Sequence, residues 1–101
     1  MSVRKDDVTL THVLTHPIRY AIAKELAKGR PLYIQQLTQK VSKTIGKVDR
    51  KIISFHLMKL EENGLIDSDL DVKKPPTGNP VVVRYSKLTP KASELLSKIK
   101  I

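Results

Sequence analysis

Apolar residues recur at helical spacing through most of the chain, and alternate with polar ones only between residues 65 and 89. The clearest helical stretch is residues 49–63. Ile53, Leu57 and Leu60 stand four and three residues apart, which places them on one face of a helix. Gly64 follows, the residue that most readily takes the left-handed conformation closing a helix. A helix turns about 100° per residue, so Lys51, Ser54, Phe55 and Met58 lie roughly opposite Ile53. Lys47 and Arg50 sit at its N-terminal end, where the sole acid is Asp49. Such a basic outer face containing small residues fits a major groove. A solvated surface helix carries the same pattern, so the neighbouring elements must decide.

Upstream, Asp6 or Asp7 is a candidate cap for a short helix ending near Leu14, with Val8, Val13 and Leu14 as its apolar residues. Pro17 opens a second helix, whose stripe is Ile18, Ala21, Ile22 and Leu26 and whose end is Gly29. Leu32 and Tyr33 read as a very short strand. A third helix covers residues 34–41, with Ile34, Leu37 and Val41 on one face. The segment SKTIGK then joins it to the helix at 49–63. Residues 34–63 thus have the form of a helix-turn-helix whose turn is several residues longer than the tight version. Beyond Gly64, residues 65–88 read as a hairpin. Leu65, Ile66, Leu70 and Val72 alternate imperfectly with Asp67, Asp69 and Asp71, as in a half-exposed strand. Residues 73–80, KKPPTGNP, are turn chemistry, and VVVRYSKLT is a β-branched second strand. Thr89 and Pro90 cap and open a last helix at residues 90–99, with Ala92, Leu95, Leu96 and Ile99 on its apolar side. The expected fold is mainly α with a small β-hairpin (α+β), as a single domain of 101 residues.

Charge sharpens this picture. The formal net charge is +9, which favours a polyanionic partner through counterion release. Lys40, Lys43, Lys47, Arg50, Lys51 and Lys59 form one basic run, and Lys73, Lys74, Arg84, Lys87 and Lys91 form another. Between them, Glu61, Glu62, Asp67, Asp69 and Asp71 make an acid-only stretch. Two basic patches match two separate nucleic-acid contacts, with an anionic membrane surface as the competing partner. No apolar run approaches bilayer length and no secretory signal is evident, so the expected location is the cytoplasm. Cysteine is absent, which removes disulfides, thiolate metal sites and cysteine nucleophiles. No glycine-rich phosphate loop, paired-carboxylate constellation or nucleophile motif is present, so the chain does not read as an enzyme.

The order helix, helix, helix-turn-helix, hairpin, helix resembles a winged helix-turn-helix domain, and more specifically the ArsR-type transcriptional regulators of bacteria and archaea. HPIRYAIAKELAKG is similar to their second helix. IISFHLMKLEENGLI resembles their recognition-helix signature, Ser-x-His-Leu followed by Leu-Glu-x-x-Gly-Leu-Ile. VVVRYSKLTPKASELL is similar to their returning wing strand and last helix. The resemblance covers roughly residues 15–97. It implies a homodimeric regulator that binds pseudo-palindromic double-stranded DNA, with residues 49–63 in the major groove and residues 73–80 on the backbone or in the minor groove. Groove contact then falls on Arg50, Lys51, Ser54 and Phe55, and His56 takes a partly buried or backbone-contacting role. A hydrogen-bonded histidine at the core edge is the alternative for His56. Lys43, Lys47 and Lys59 belong to the first basic patch, and Lys73, Lys74 and Arg84 to the wing. Pairing of residues 1–14 with the last helix across a two-fold axis is the expected dimer, because Leu95, Leu96, Ile99 and Ile101 present much apolar surface. Many such regulators sense metals through Cys, Asp or His residues. Here YIQQLTQKV and TPKASELLSKIK hold no Cys and no His, and His12 and His16 lack a third ligand. No cofactor or metal is therefore expected. An RNA-binding or protein-interaction winged-helix module is the alternative function.

Overall fold

The computed structural model of the chain describes residues 5–99. Helices α1 (Lys5–Leu14) and α2 (Pro17–Leu26) come first. Strand β1 (Leu32–Tyr33) leads into α3 (Ile34–Ile45) and α4 (Arg50–Glu62). Strands β2 (Ile66–Lys73) and β3 (Val81–Leu88) follow, and α5 (Pro90–Lys98) ends the order.

Local chemistry accounts for these boundaries. Pro17 occupies the first turn of α2, and Nδ1 of His16 accepts a hydrogen bond from the Ile18 N–H at 3.2 Å. The Asp49 carboxylate caps α4 by accepting from the Lys51 N–H at 3.1 Å. At the other end of α4, Gly64 has φ 69°, so its backbone turns left-handed. The Leu65 N–H then donates to the Leu60 carbonyl and the Gly64 N–H to that of Glu61. This paired closure satisfies carbonyls that a bare helix end would leave open. Thr89 does two things. Its Oγ1 accepts from the Ala92 N–H, capping α5, and donates to the Gly64 carbonyl at 2.9 Å. One residue therefore ties the start of α5 to the end of α4.

Helix α3 runs further than residues 34–41, reaching Ile45, so the turn of the helix-turn-helix shrinks to residues 46–49. Ser42 and Thr44 are weak helix formers because their hydroxyls compete for backbone partners. Here those hydroxyls are used without breaking the helix. Thr44 Oγ1 donates back to the Lys40 carbonyl, and Ser42 Oγ accepts from the Val48 N–H at 3.2 Å, pulling the turn in. Gly46, at φ 98°, makes the exit.

The hairpin belongs to a larger sheet than two strands. The order is β1-β3-β2, all antiparallel, with Leu32 opposite Ser86 and Tyr33 opposite Tyr85. In the hairpin, Ile66 pairs with Leu88 and Lys73 with Val81. Alternation then sorts the side chains. One face carries Ile66, Ser68, Leu70, Val72, Val82, Arg84, Ser86 and Leu88. The other carries Asp67, Asp69, Asp71, Lys73, Val81, Val83, Tyr85 and Lys87. The first face is buried only at its base, by Ile66 and Ser86. Further out, Leu70 is 69% and Val82 62% exposed. The half-exposed strand expected from alternation thus applies to the base alone, and the distal hairpin stands clear of the body.

Leu14, Ile22, Leu26, Leu37, Val41, Ile53, Leu60, Leu65, Ala92 and Leu95 meet in the core. Each fully buried aliphatic side chain contributes about 1.5–3 kcal/mol by leaving water. Helix α4 presents Ile53, His56 and Leu60 inward, and Leu57 is only partly buried. On α5, Ala92 and Leu95 are buried and Leu96 and Ile99 pack on the same core. Of the apolar face expected to build a dimer, Leu95 is buried within the chain while Leu96 and Ile99 stay partly exposed; Ile101 lies outside the described residues.

Candidate nucleic-acid interface

The short turn at residues 46–49 sets α4 against α3 and leaves the outer side of α4 open. Arg50, Lys51, Ser54 and Phe55 are exposed there, with Lys43 in the last turn of α3 and Lys47 in the turn itself. Asp49, the sole acid in this stretch, is engaged as a helix cap. A cleft of about 570 Å³ runs between α4 and β3 and is lined by Arg50, Ser54, Met58, Arg84, Tyr33 and Gln35, among others. It brings Arg50, Ser54 and Arg84 to one concavity, although Arg84 lies 34 positions after Arg50 in the chain.

Other expected site residues are placed differently. His56 is 7% exposed and faces inward, so its ring is not on the outer face of α4. Its partner is unexpected. The rings of His16 and His56 lie 4.5 Å apart at 36°, between the start of α2 and the middle of α4. Among the described residues, Nδ1 of His56 and Nε of Arg19 are buried and make no hydrogen bond, so the hydrogen-bonded alternative is not met at that nitrogen, while the burial expected of His56 is. Burial, then the neighbouring His16 and Arg19, hold the His56 imidazole below the usual histidine value of 6.5. Burial and then Arg19 do the same to His16. The pair is thus kept neutral near pH 7. Lys59 is partly buried; its Nζ stands 5.6 Å from the Phe55 ring centre and 4.0 Å from Glu62 Oε2.

In the wing, charge segregated along the sequence is partly matched across the sheet. Lys87 pairs with Asp69 at 3.2 Å. Lys73 Nζ sits 5.6 Å from the Tyr33 ring centre and 5.7 Å from that of Tyr85, whose rings meet edge to face. A hydrogen bond to Tyr85, its negative charge when ionised, and more weakly Tyr33 and Asp71, push the Lys73 ammonium above its ordinary value. Lys73 therefore keeps its positive charge but is seated against two rings. Lys74 has no ion pair or ring partner among the described residues. Lys73, Lys74, Asp71 and Tyr85 line a second, shallower concavity on the wing.

Tyr33 and Gln35 are among the lining residues that sequence reasoning missed. Tyr33 and Gln35 reach the cleft only because β1 pairs with β3, and no local pattern encodes that pairing. Met58 was legible as an outer-face residue of the helix. Among the described residues, no cluster of three or more His, Cys, Asp or Glu has metal-holding geometry, and no helix is long and apolar enough to cross a membrane.

No protein-family model and no curated protein matches this chain. Solved structures do. Diamide-treated YodB from B. subtilis superposes with a TM-score of 0.70 at 18% identity, covering 97% of this chain and 86% of its own. TA0346 from Thermoplasma acidophilum, a candidate transcriptional regulator, superposes with a TM-score of 0.64 at 20% identity, covering 94% and 81%. At these identities the likeness speaks for the fold, and together with the element order it makes this chain an α+β winged helix-turn-helix with β2 and β3 as the wing.

Proposed function

We propose that this chain is a sequence-specific double-stranded DNA-binding transcriptional regulator of the ArsR-like kind. Helix α4 enters the major groove, and residues 73–80 of the wing lie on the backbone or minor groove. The observation that carries the reading is the exposed cationic rim of the helix-turn-helix. Lys43, Lys47, Arg50 and Lys51 are exposed along the end of α3, the turn and the start of α4, where the sole acid, Asp49, is engaged as a cap; the cleft adds Arg84, with Glu61 as its one acid. A helix N-terminus bearing arginine and small side chains is the part of such a motif that meets base edges. The structural likeness to TA0346 supports regulation as the context. A homodimer with two-fold symmetry sets its two α4 helices about 34–36 Å apart and selects a pseudo-palindrome.

Arg50→Ala costs about 1–3 kcal/mol of specific binding if it makes a bidentate contact to guanine. Comparing duplex DNA, single strands and structured RNA at one salt concentration tests the class of partner. Preference for structured RNA, or no nucleic-acid binding, turns the reading toward the alternative module. The specific observation favouring a protein partner is the exposed apolar stretch Leu70, Val72 and Val82 on the wing.

A further inference from the structure

Helix α4 is unusual in what it leaves exposed. Ile52 is 44%, Phe55 49% and Met58 49% exposed, on the helix whose other exposed residues are Arg50, Lys51 and Ser54 toward its start and Glu61 and Glu62 at its end. Phe55 and Met58, like Ile52 and Phe55, are three residues apart and therefore neighbours on the helix surface. Phe55 is also held in position. Its ring meets the His56 ring edge to face, with centres 5.2 Å apart at 76°, and His56 is itself buried against His16. The Lys59 ammonium stands over the Phe55 ring at 5.6 Å. An apolar ring held beside a cation and half exposed to solvent is costly to expose and well placed to meet an apolar partner on an anionic surface.

The major groove offers one apolar feature on its base edges, the C5-methyl of thymine; the rest are hydrogen-bond donors and acceptors. The first nine residues of α4, RKIISFHLM, contain no Asn, Gln, Asp or Glu. The bidentate reading of adenine and the accepting contact to cytosine are therefore closed to them. Arginine and lysine remain for guanine, serine for either, and the apolar side chains for thymine.

We propose that Phe55, with Met58 one turn further on, determines specificity by packing against thymine C5-methyl groups, while Arg50 and Lys51 read guanine beside them. The inference rests on α4 being the major-groove helix. Its binding sites then combine thymine and guanine, and lose affinity when the methyl alone is taken away.

The experiment uses the full chain. Duplexes are enriched from a random pool, and each thymine of the enriched site is replaced in turn by deoxyuridine, which deletes the methyl and keeps every hydrogen-bonding edge. Wild-type affinity should fall about fourfold per contacted methyl, the value expected for burying one carbon. Replacing the same thymine by 5-methylcytosine should retain more binding than replacing it by cytosine. Phe55→Ala should bind thymine and deoxyuridine duplexes equally at that position. If that variant does not fold by circular dichroism, the wild-type comparison decides alone. A site that is enriched and discriminates bases, yet is indifferent to deoxyuridine at every position, overturns the methyl reading and leaves the regulator intact. A pool that yields no enriched sequence removes the specific-regulator reading and this inference with it.

Discussion

The two wing lysines are adjacent in sequence but should behave differently on DNA. Lys73 is seated over two tyrosine rings, at 5.6 and 5.7 Å, on the sheet face that also holds Asp71. Lys74 has no such engagement among the described residues. A lysine that neutralises one phosphate contributes about −0.9 to the slope of log affinity against log salt. Between 50 and 200 mM salt, that slope amounts to about 3.5-fold in affinity for each phosphate. Lys74→Ala should therefore flatten the slope by about 0.9. Lys73→Ala should flatten it by less than about half that, because its ammonium is already partnered within the wing. Fluorescence anisotropy with a random-sequence duplex, titrated at several salt concentrations, reads both slopes. Equal flattening by the two variants would refute the argument from the tyrosine seat. No change in either would remove the wing loop from the interface.

Core position predicts a second difference. Ile53→Ala, fully buried, should cost about 2–5 kcal/mol in urea unfolding, and the partly buried Leu57 about half as much; equal losses would contradict the burial pattern. A third outcome concerns pH. The imidazoles of His16 and His56 are held below 6.5, so below that value the unfolded chain binds protons that the folded pair resists. Stability should be full above about pH 6.5 and decline as pH falls through the folded-state values, and His56→Phe should weaken that decline; identical pH profiles for the two proteins count against the pair as its source. Finally, sedimentation equilibrium should show a dimer at micromolar concentration, and a monomer there would rule out two-fold recognition of a pseudo-palindrome.

Much of this protein was decided by local chemistry and is legible in the chain. Period and punctuation mark the elements, because caps, prolines and glycines act within a few residues: Asp49, Gly64, Thr89 and Pro90 hold the positions their types imply. The open basic side of α4 also follows from periodicity, since residues opposite Ile53 turn away from whatever Ile53 packs on. Tertiary structure decided the rest. Helix α3 continues past Val41 because the Ser42 hydroxyl finds the Val48 N–H across the turn, a partner six residues away that no propensity counts. The third strand exists because Leu32 and Tyr33 meet Ser86 and Tyr85, more than fifty residues distant. That pairing builds the tyrosine seat and takes Lys73 out of the set of unpartnered cations. His56 sits on the inner side of α4 because α2 brings His16 within stacking distance. Composition along the chain separated acids from bases, but an antiparallel register sets Asp69 near Lys87. Charge is a sum over space, and only the fold sets which charges are neighbours.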